Sequence, residues 1–367
     1  MRRLPGRGGR RIGLAMRLSR PLAAQPRPRA FGAWLLVVAA MVFAIVVVGG
    51  ITRLTESGLS ITEWKPIRGI IPPLDAAQWQ AEFAGYRAIP QYEAFNQGMT
   101  LEGFKHIYFW EYLHRLLARA IGLVLALVLI LFWWRRAIPR GYGGRALLIL
   151  ALGGLQGAIG WWMVASGLVH RVEVSHLRLA THLLAAMLIY GVLVWTALDL
   201  ITGRPARLGR LAALAILVLA VQLMLGAFTA GLRAGYAYAS WPKMGEDWFP
   251  PGGWQPGGVA HNLLYNPIVV QFVHRWWAWV VALMAFLLAQ RARRAGATGP
   301  AHAILTLVAL QIGLGIATLL SGVALPVAVA HQATAALLLA SFVWAAHAIG
   351  ERRGEAHGNM IPYANPA

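Results

Sequence analysis

Eight apolar runs of about twenty residues divide this chain, at 31–51, 113–134, 146–168, 177–199, 210–231, 268–289, 302–323 and 326–349. Wound as a helix, a run of that length crosses the ~30 Å hydrocarbon core of a bilayer. Within lipid each backbone N–H and C=O must find its partner inside the segment, so continuous apolar runs of this kind become helices. The sequence therefore predicts an all-α polytopic membrane protein with eight transmembrane helices, in contact with lipid throughout. The composition agrees, being 58% hydrophobic and only 13% charged.

Charge sets the orientation. Most of the 33 Lys and Arg fall in the basic N-terminal stretch, in the loops near 135–145, 200–210 and 290–300, and at Arg352 and Arg353. The loops between are acid-balanced or uncharged. The positive-inside rule then places both termini in the cytoplasm of a bacterial inner membrane. A formal charge of +20 could suggest nucleic acid, but no folded basic domain is present to grip phosphates, and no nucleic-acid partner is expected. Cysteine is absent, which excludes disulfides, thiolate metal sites and a Cys nucleophile.

Residues 1–30 are basic and rich in Gly and Pro and read as a disordered cytoplasmic tail. The run after them is too long for a signal-peptide core, so it is expected to be retained as the first span. Two long external loops, 52–112 and 232–267, are rich in Trp, Pro and Gly. Loops of that length more often fold as caps than hang free.

The chain also repeats itself. LQGAIGWWMVASGL (155–168) aligns with LQIGLGIATLLSGV (310–323), HRLLARAIGLVLALVL (114–129) with HRWWAWVVALMAFLL (274–288), and ATHLLAAMLIYGVLVW (180–195) with VAHQATAALLLASFVW (329–344). The expected architecture is two pseudo-symmetric four-helix bundles in the same orientation. An N-terminal repeat covers 31–200, a C-terminal repeat 201–350, and a short cytoplasmic tail 351–367.

Of eleven histidines, topology puts His106, His170, His176 and His261 in external loops, His302 and His347 near cytoplasmic ends, and His357 in the tail. The other four, His114, His182, His274 and His331, are expected in the first turns of the even-numbered spans, at one depth near the outer face. The repeat maps His114 onto His274 and His182 onto His331. A lone histidine there reads as an interfacial, hydrogen-bonded side chain. Two per repeat, on two helices of a bundle, suit bis-histidine haem ligation, in which a flat macrocycle needs an axial ligand from either side and an apolar slot. Gly153, Gly154, Gly157, Gly160, Gly313 and Gly315 are candidates for that slot, or for ordinary close helix packing.

The repeats differ at one position. Glu111 precedes His114 by three residues, on the same helix face, whereas Gln271 precedes His274. A carboxylate beside one haem could take a proton or hold a developing cation; alternatively Glu111 pairs with Arg115 at i+4 and anchors the helix. Arg115 and Arg275 could meet haem propionates or snorkel to the interface. Arg119, with Trp279 at the matching position, is a candidate second anionic contact.

GGITRLTESGLSITEWKPIRGIIPP, NQGMTLEGFKHIYFWEYLHR, RLATHL, QFVHRWWAW and AHQATAALLL together resemble the heme A synthase family in its alphaproteobacterial and mitochondrial form. The resemblance runs from about residue 31 to 349. It implies oxidation of the C8 methyl of heme O to a formyl group, giving heme A for cytochrome c oxidase. It implies a heme b cofactor on His274 and His331; Arg115 and Arg275, each next to a ligand histidine, remain candidate cofactor contacts on the residues alone. It also implies a substrate heme O site with His114 and His182 as ligands, and a catalytic role for Glu111. The expected partners are heme O synthase and cytochrome c oxidase assembly factors, with a homo-oligomer left open and the haem sites toward the periplasm. Some relatives carry a cysteine pair in the first external loop; this chain has none. The alternative from another class is a di-haem membrane cytochrome that only transfers electrons. Against it stands the Glu111/Gln271 difference, since a conduit needs no acid over one haem alone. A transporter would need broken helices or charges at mid-membrane, and the sequence has neither.

Overall fold

The computed structural model describes residues 26–65, 67–169 and 171–352. His170, His357 and most of both tails expected at 1–30 and 351–367 lie outside the described residues. Among the described residues, eight helices are long and apolar enough to cross a membrane. They are α1 (Pro28–Leu54), α4 (Leu101–Trp134), α5 (Gly143–Ala165), α6 (His176–Thr202), α7 (Arg210–Gly231), α9 (Pro267–Arg294), α10 (Thr298–Leu320) and α11 (Leu325–Ala348). Three shorter helices lie outside them: α2 (Ala76–Arg87), α3 (Pro90–Phe95) and α8 (Gly258–Tyr265).

Local chemistry sets the ends. Thr100 caps α4 by accepting from Gly103 N–H, and Asn266 caps α9 by accepting from Ile268 N–H just before a first-turn Pro267. Both devices satisfy or remove an orphan N–H. Gly203 closes α6 at φ +64°, a left-handed conformation that only glycine adopts readily.

The greatest departure from the expected spans is α4. It starts at Leu101, not near 113, and its 34 residues reach roughly 50 Å at 1.5 Å per residue, well beyond the hydrocarbon core. The added turns project outward as part of a cap. Phe104, Ile107 and Tyr108 pack there with Leu59, Ile61, Phe83, Tyr86 and Ile89 in a separate apolar core. Hydropathy alone misses these turns because Lys105, His106 and Glu111 interrupt FKHIYFWEY, in which Phe104, Ile107 and Tyr108 share the buried face and Phe109 stays exposed. Burial in this cap pushes the Tyr86 phenol up to about 12. His106, expected in a loop, is therefore on α4; His176 is the first residue of α6 and buried, and His261 is on α8.

Each half is a ring of neighbours: α1, α4, α5 and α6 in the first, α7, α9, α10 and α11 in the second. The halves meet where α1 and α6 pack on α7 and α11, around a core that includes Leu35, Leu193, Leu219, Leu288 and Phe342. Polar bonds pin this seam at both ends. Near the ends of α6 and α11, Asp199 accepts from Arg145 Nη1 at 2.7 Å and lies 3.0 Å from His347 Nε2. A two-residue antiparallel ladder joins Ala206–Arg207 to Glu351–Arg352 beside it. At the other end Arg53 pairs with Glu173 at 3.1 Å, and Arg233 pairs with both Glu173 and Glu56. Within the seam, Gln332 Nε2 donates to the Val46 carbonyl at 2.7 Å.

Candidate functional site

His114 on α4 and His182 on α6 lie within electrostatic reach of each other, and so do His274 on α9 and His331 on α11. The fold thus gathers the four histidines as one pair per half. Three stand in the first two or three turns of their helices. His114 does not, because α4 begins thirteen residues before it.

Each ring lies against a glycine of the preceding membrane helix. A Cβ on Gly49 (α1) would sit 3.0 Å from Cε1 of His114. On Gly160 (α5) it would sit 3.0 Å from Cε1 of His182, on Gly226 (α7) 3.2 Å from that of His274, and on Gly315 (α10) 3.0 Å from that of His331. A Cβ there would crowd the imidazole by a few tenths of an ångström, and a larger side chain by more. Each ring packs against its glycine, and each of the four histidines is only partly exposed. Of the glycines expected to line a slot, Gly160 and Gly315 meet the rings, while Gly154, Gly157 and Gly313 face open space. Gly49 and Gly226 were not singled out by sequence, although both share a signal: each stands three residues before a threonine that bonds back to its own helix, Thr52 to Val48 and Thr229 to Leu225.

Four residues before each glycine comes a second contact. Gln156 Nε2 lies 3.1 Å from His182 Nδ1 and donates to the His182 carbonyl at 2.9 Å. Gln222 Nε2 donates to the His274 carbonyl at 3.1 Å. The Gln311 carbonyl lies 3.1 Å from His331 Nδ1, and its Nε2 lies 3.4 Å from Nε2 of the same ring. The matching residue before Gly49 is Ile45, whose backbone faces His114 as those of Gln222 and Gln311 face His274 and His331.

Glu111 is buried one turn outside His114. Its Oε2 accepts from Ser60 Oγ and Ile61 N–H, both at 2.8 Å; its Oε1 accepts from Arg115 Nε at 3.0 Å and Nη2 at 2.6 Å. Arg115 also donates to the carbonyls of Ile61 and Glu63, and Arg119 to that of Lys65. In the second half Arg275 donates to the carbonyls of Tyr238, Ser240 and Lys243, and Gln271 to that of Tyr238. The two arginines expected near haem thus hold the two long loops onto their helices. They grip matching segments, ITEWK and YASWP, each with a tryptophan.

Residues 32–343 match the COX15-CtaA family model, described as cytochrome oxidase assembly protein. The chain is 67% identical over 338 residues to a protein of Rhizorhabdus wittichii named heme A synthase, covering 90% of this chain and 97% of that one. It is 51% identical to the heme A synthase of Sphingopyxis alaskensis over 336 residues, 90% and 95% of the two chains. It is 49% identical to that of Novosphingobium aromaticivorans over 353 residues, 90% and 100%.

Proposed function

The chain belongs to the COX15-CtaA family of cytochrome oxidase assembly proteins, and on that premise we propose that it is a heme A synthase. It is an oxidoreductase of the membrane that converts the C8 methyl of heme O to a formyl group, giving heme A for cytochrome c oxidase. The observation that carries the reading is the gathering of four histidines as two pairs, each ring seated on a glycine. Two neutral imidazoles are a full protein ligand set for haem iron, because the porphyrin supplies the other four donors.

The halves take different parts. His274 and His331 hold a resident heme b in 201–350; His114 and His182 receive heme O in 31–200. When bound, heme b supplies one-electron redox chemistry. The protein's share is position, charge and exclusion of water. The glycine cradles fix the imidazole planes, and the loops that Arg115 and Arg275 clamp roof each site. Arg275 keeps one buried donor, Nε–H, without a partner, which suits a propionate.

Glu111 fixes a carboxylate one turn outside His114, at the place where Gln271 is neutral. There it stabilises positive charge developing on the oxidised methyl, and accepts the proton released. Its four acceptor bonds are filled, so taking a proton requires one to open. The Ser60 hydroxyl, which rotates and can accept as well as donate, is the bond able to do so. The charge pattern further supports cytoplasmic termini and haem sites toward the periplasm. Heme O synthase then supplies the substrate, and assembly factors of the oxidase take the product.

The test is co-expression with heme O synthase in cells lacking their own heme A synthase, followed by mass analysis of extracted haems. Heme A is expected; heme O alone in cells that make the protein would refute the assignment.

A further inference from the structure

Two glycines stand side by side in α1 and face different halves of the molecule. Gly49 meets the ring of His114, where a Cβ would lie 3.0 Å from Cε1. Gly50 meets Gln332 of α11, where a Cβ would lie 2.9 Å from Cδ and closer still to Oε1. Gln332 follows His331 in the chain, and its Nε2 donates to the Val46 carbonyl at 2.7 Å. The amide therefore lies along one turn of α1, from Val46 to Gly50, and an alanine at 50 would displace it.

The repeat supplies a control. Gly226 matches Gly49, so Ala227 stands in the place of Gly50 and Leu183 in that of Gln332. There Ala227 is buried, and Leu183 packs against the same apolar cluster. An apolar pair fills this space as well, so packing alone does not call for an amide. The backbone does not call for one either. Inside a helix the Val46 carbonyl already accepts from the Gly50 N–H, and Gln332 brings it a second bond. A polar side chain set into an apolar seam costs free energy unless it is paired; its best-attested use is to fix one register between the elements it joins.

Resting on the reading that the four histidines are haem ligands, we propose that Gln332 is a positioning residue for the first pair. From the second half it holds the turn of α1 that cradles His114, and so sets the plane of that imidazole. The first site is then complete only with a residue of the other half, next in sequence to a ligand of the other haem. No such link runs the other way through Leu183, which has no hydrogen-bonding group.

The test uses the purified full-length protein with haem added until both pairs are filled, beside its Gln332→Leu, Gly50→Ala and Gly50→Ala/Gln332→Leu variants. Three quantities are read: the low-spin electron paramagnetic resonance signals, which report the angle between the imidazole planes at each haem; the rate at which haem passes to excess apomyoglobin; and the melting temperature. His114→Ala and His274→Ala identify which signal belongs to which pair. Gln332→Leu and Gly50→Ala should shift the g-values of the first haem, release it at least about tenfold faster, the scale of losing an outer-shell partner, and leave the second haem's signal as it is. The double variant copies the apolar pair of the other half. It should regain the parent's melting temperature but not its first-haem signal. Parent signals in both single variants would overturn the proposal. So would a double variant that regains signal and melting together, since the role would then be packing alone, and so would equal shifts at both haems. If His114→Ala and His274→Ala lose the same signal or none, the ligand assignment is what has failed.

Discussion

Arg115 meets Glu111 across one turn of α4, Nη2 to Oε1 at 2.6 Å, and the two together hold Ser60, Ile61 and Glu63 against the helix. One carboxylate is thus both a fixed charge beside the first histidine pair and the anchor of the loop above it. Replacing Glu111 by Gln keeps the shape and removes the charge. Haem should remain bound, while heme A production falls at least about a hundredfold, the usual scale for losing an acid–base group. Haem extraction from the co-expression strain measures both; unchanged production would leave Glu111 with the anchoring role alone.

The same pair predicts a difference in stability between the halves. Arg115→Leu strands a buried carboxylate and should cost about 3 kcal/mol or more. Arg275→Leu strands only carbonyls and the neutral Gln271, and should cost about 1–2 kcal/mol. Thermal unfolding in detergent tests the order; equal losses would mean that Glu111 does not depend on Arg115.

Much of this arrangement is legible in the sequence. The spans follow from apolar run length, and the pairing of His114 with His182 and of His274 with His331 follows from the repeat. Glu111 stands out because the repeat has Gln271 there. The cradle is only half legible: Gly160 and Gly315 lie in the aligned segments, but Gly49 and Gly226 lie in α1 and α7, where the only shared residues are one Gly and one Thr. The outward turns of α4 are hidden because their burial depends on α2 and α3, which hydropathy cannot see. The use of Arg115 and Arg275 as loop clamps is hidden because they bond to backbone carbonyls, which leave no trace in side-chain identity. Asp199 and His347 are 148 positions apart and meet only through the packing of α6 on α11.

The cradle glycines give a steric prediction. Gly226→Val and Gly315→Val should remove the haem of the second half without loss of helical circular dichroism, since a Cβ at either position crowds Cε1 of the ring. Gly313→Ala, which faces open space, should retain it. Equal haem content in all three would show that the rings are not seated on these glycines.

Asp199 joins the two halves at the end of α6 remote from His182 and the other three paired histidines. Asp199→Leu leaves Arg145 and His347 without their shared partner and should lower stability by about 3 kcal/mol. The haem spectrum should not change. A shifted spectrum with unchanged melting would place Asp199 in the haem environment instead.

The central claim is that two similar histidine pairs do unequal work. It is tested most directly by the optical spectrum and haem content of His114→Ala, His182→Ala, His274→Ala and His331→Ala, each purified after co-expression with heme O synthase. The account predicts that His274→Ala and His331→Ala lose the heme b spectrum, whereas His114→Ala and His182→Ala keep it and yield no heme A. Loss of the same haem in all four, or heme A from a His114→Ala protein, would contradict it.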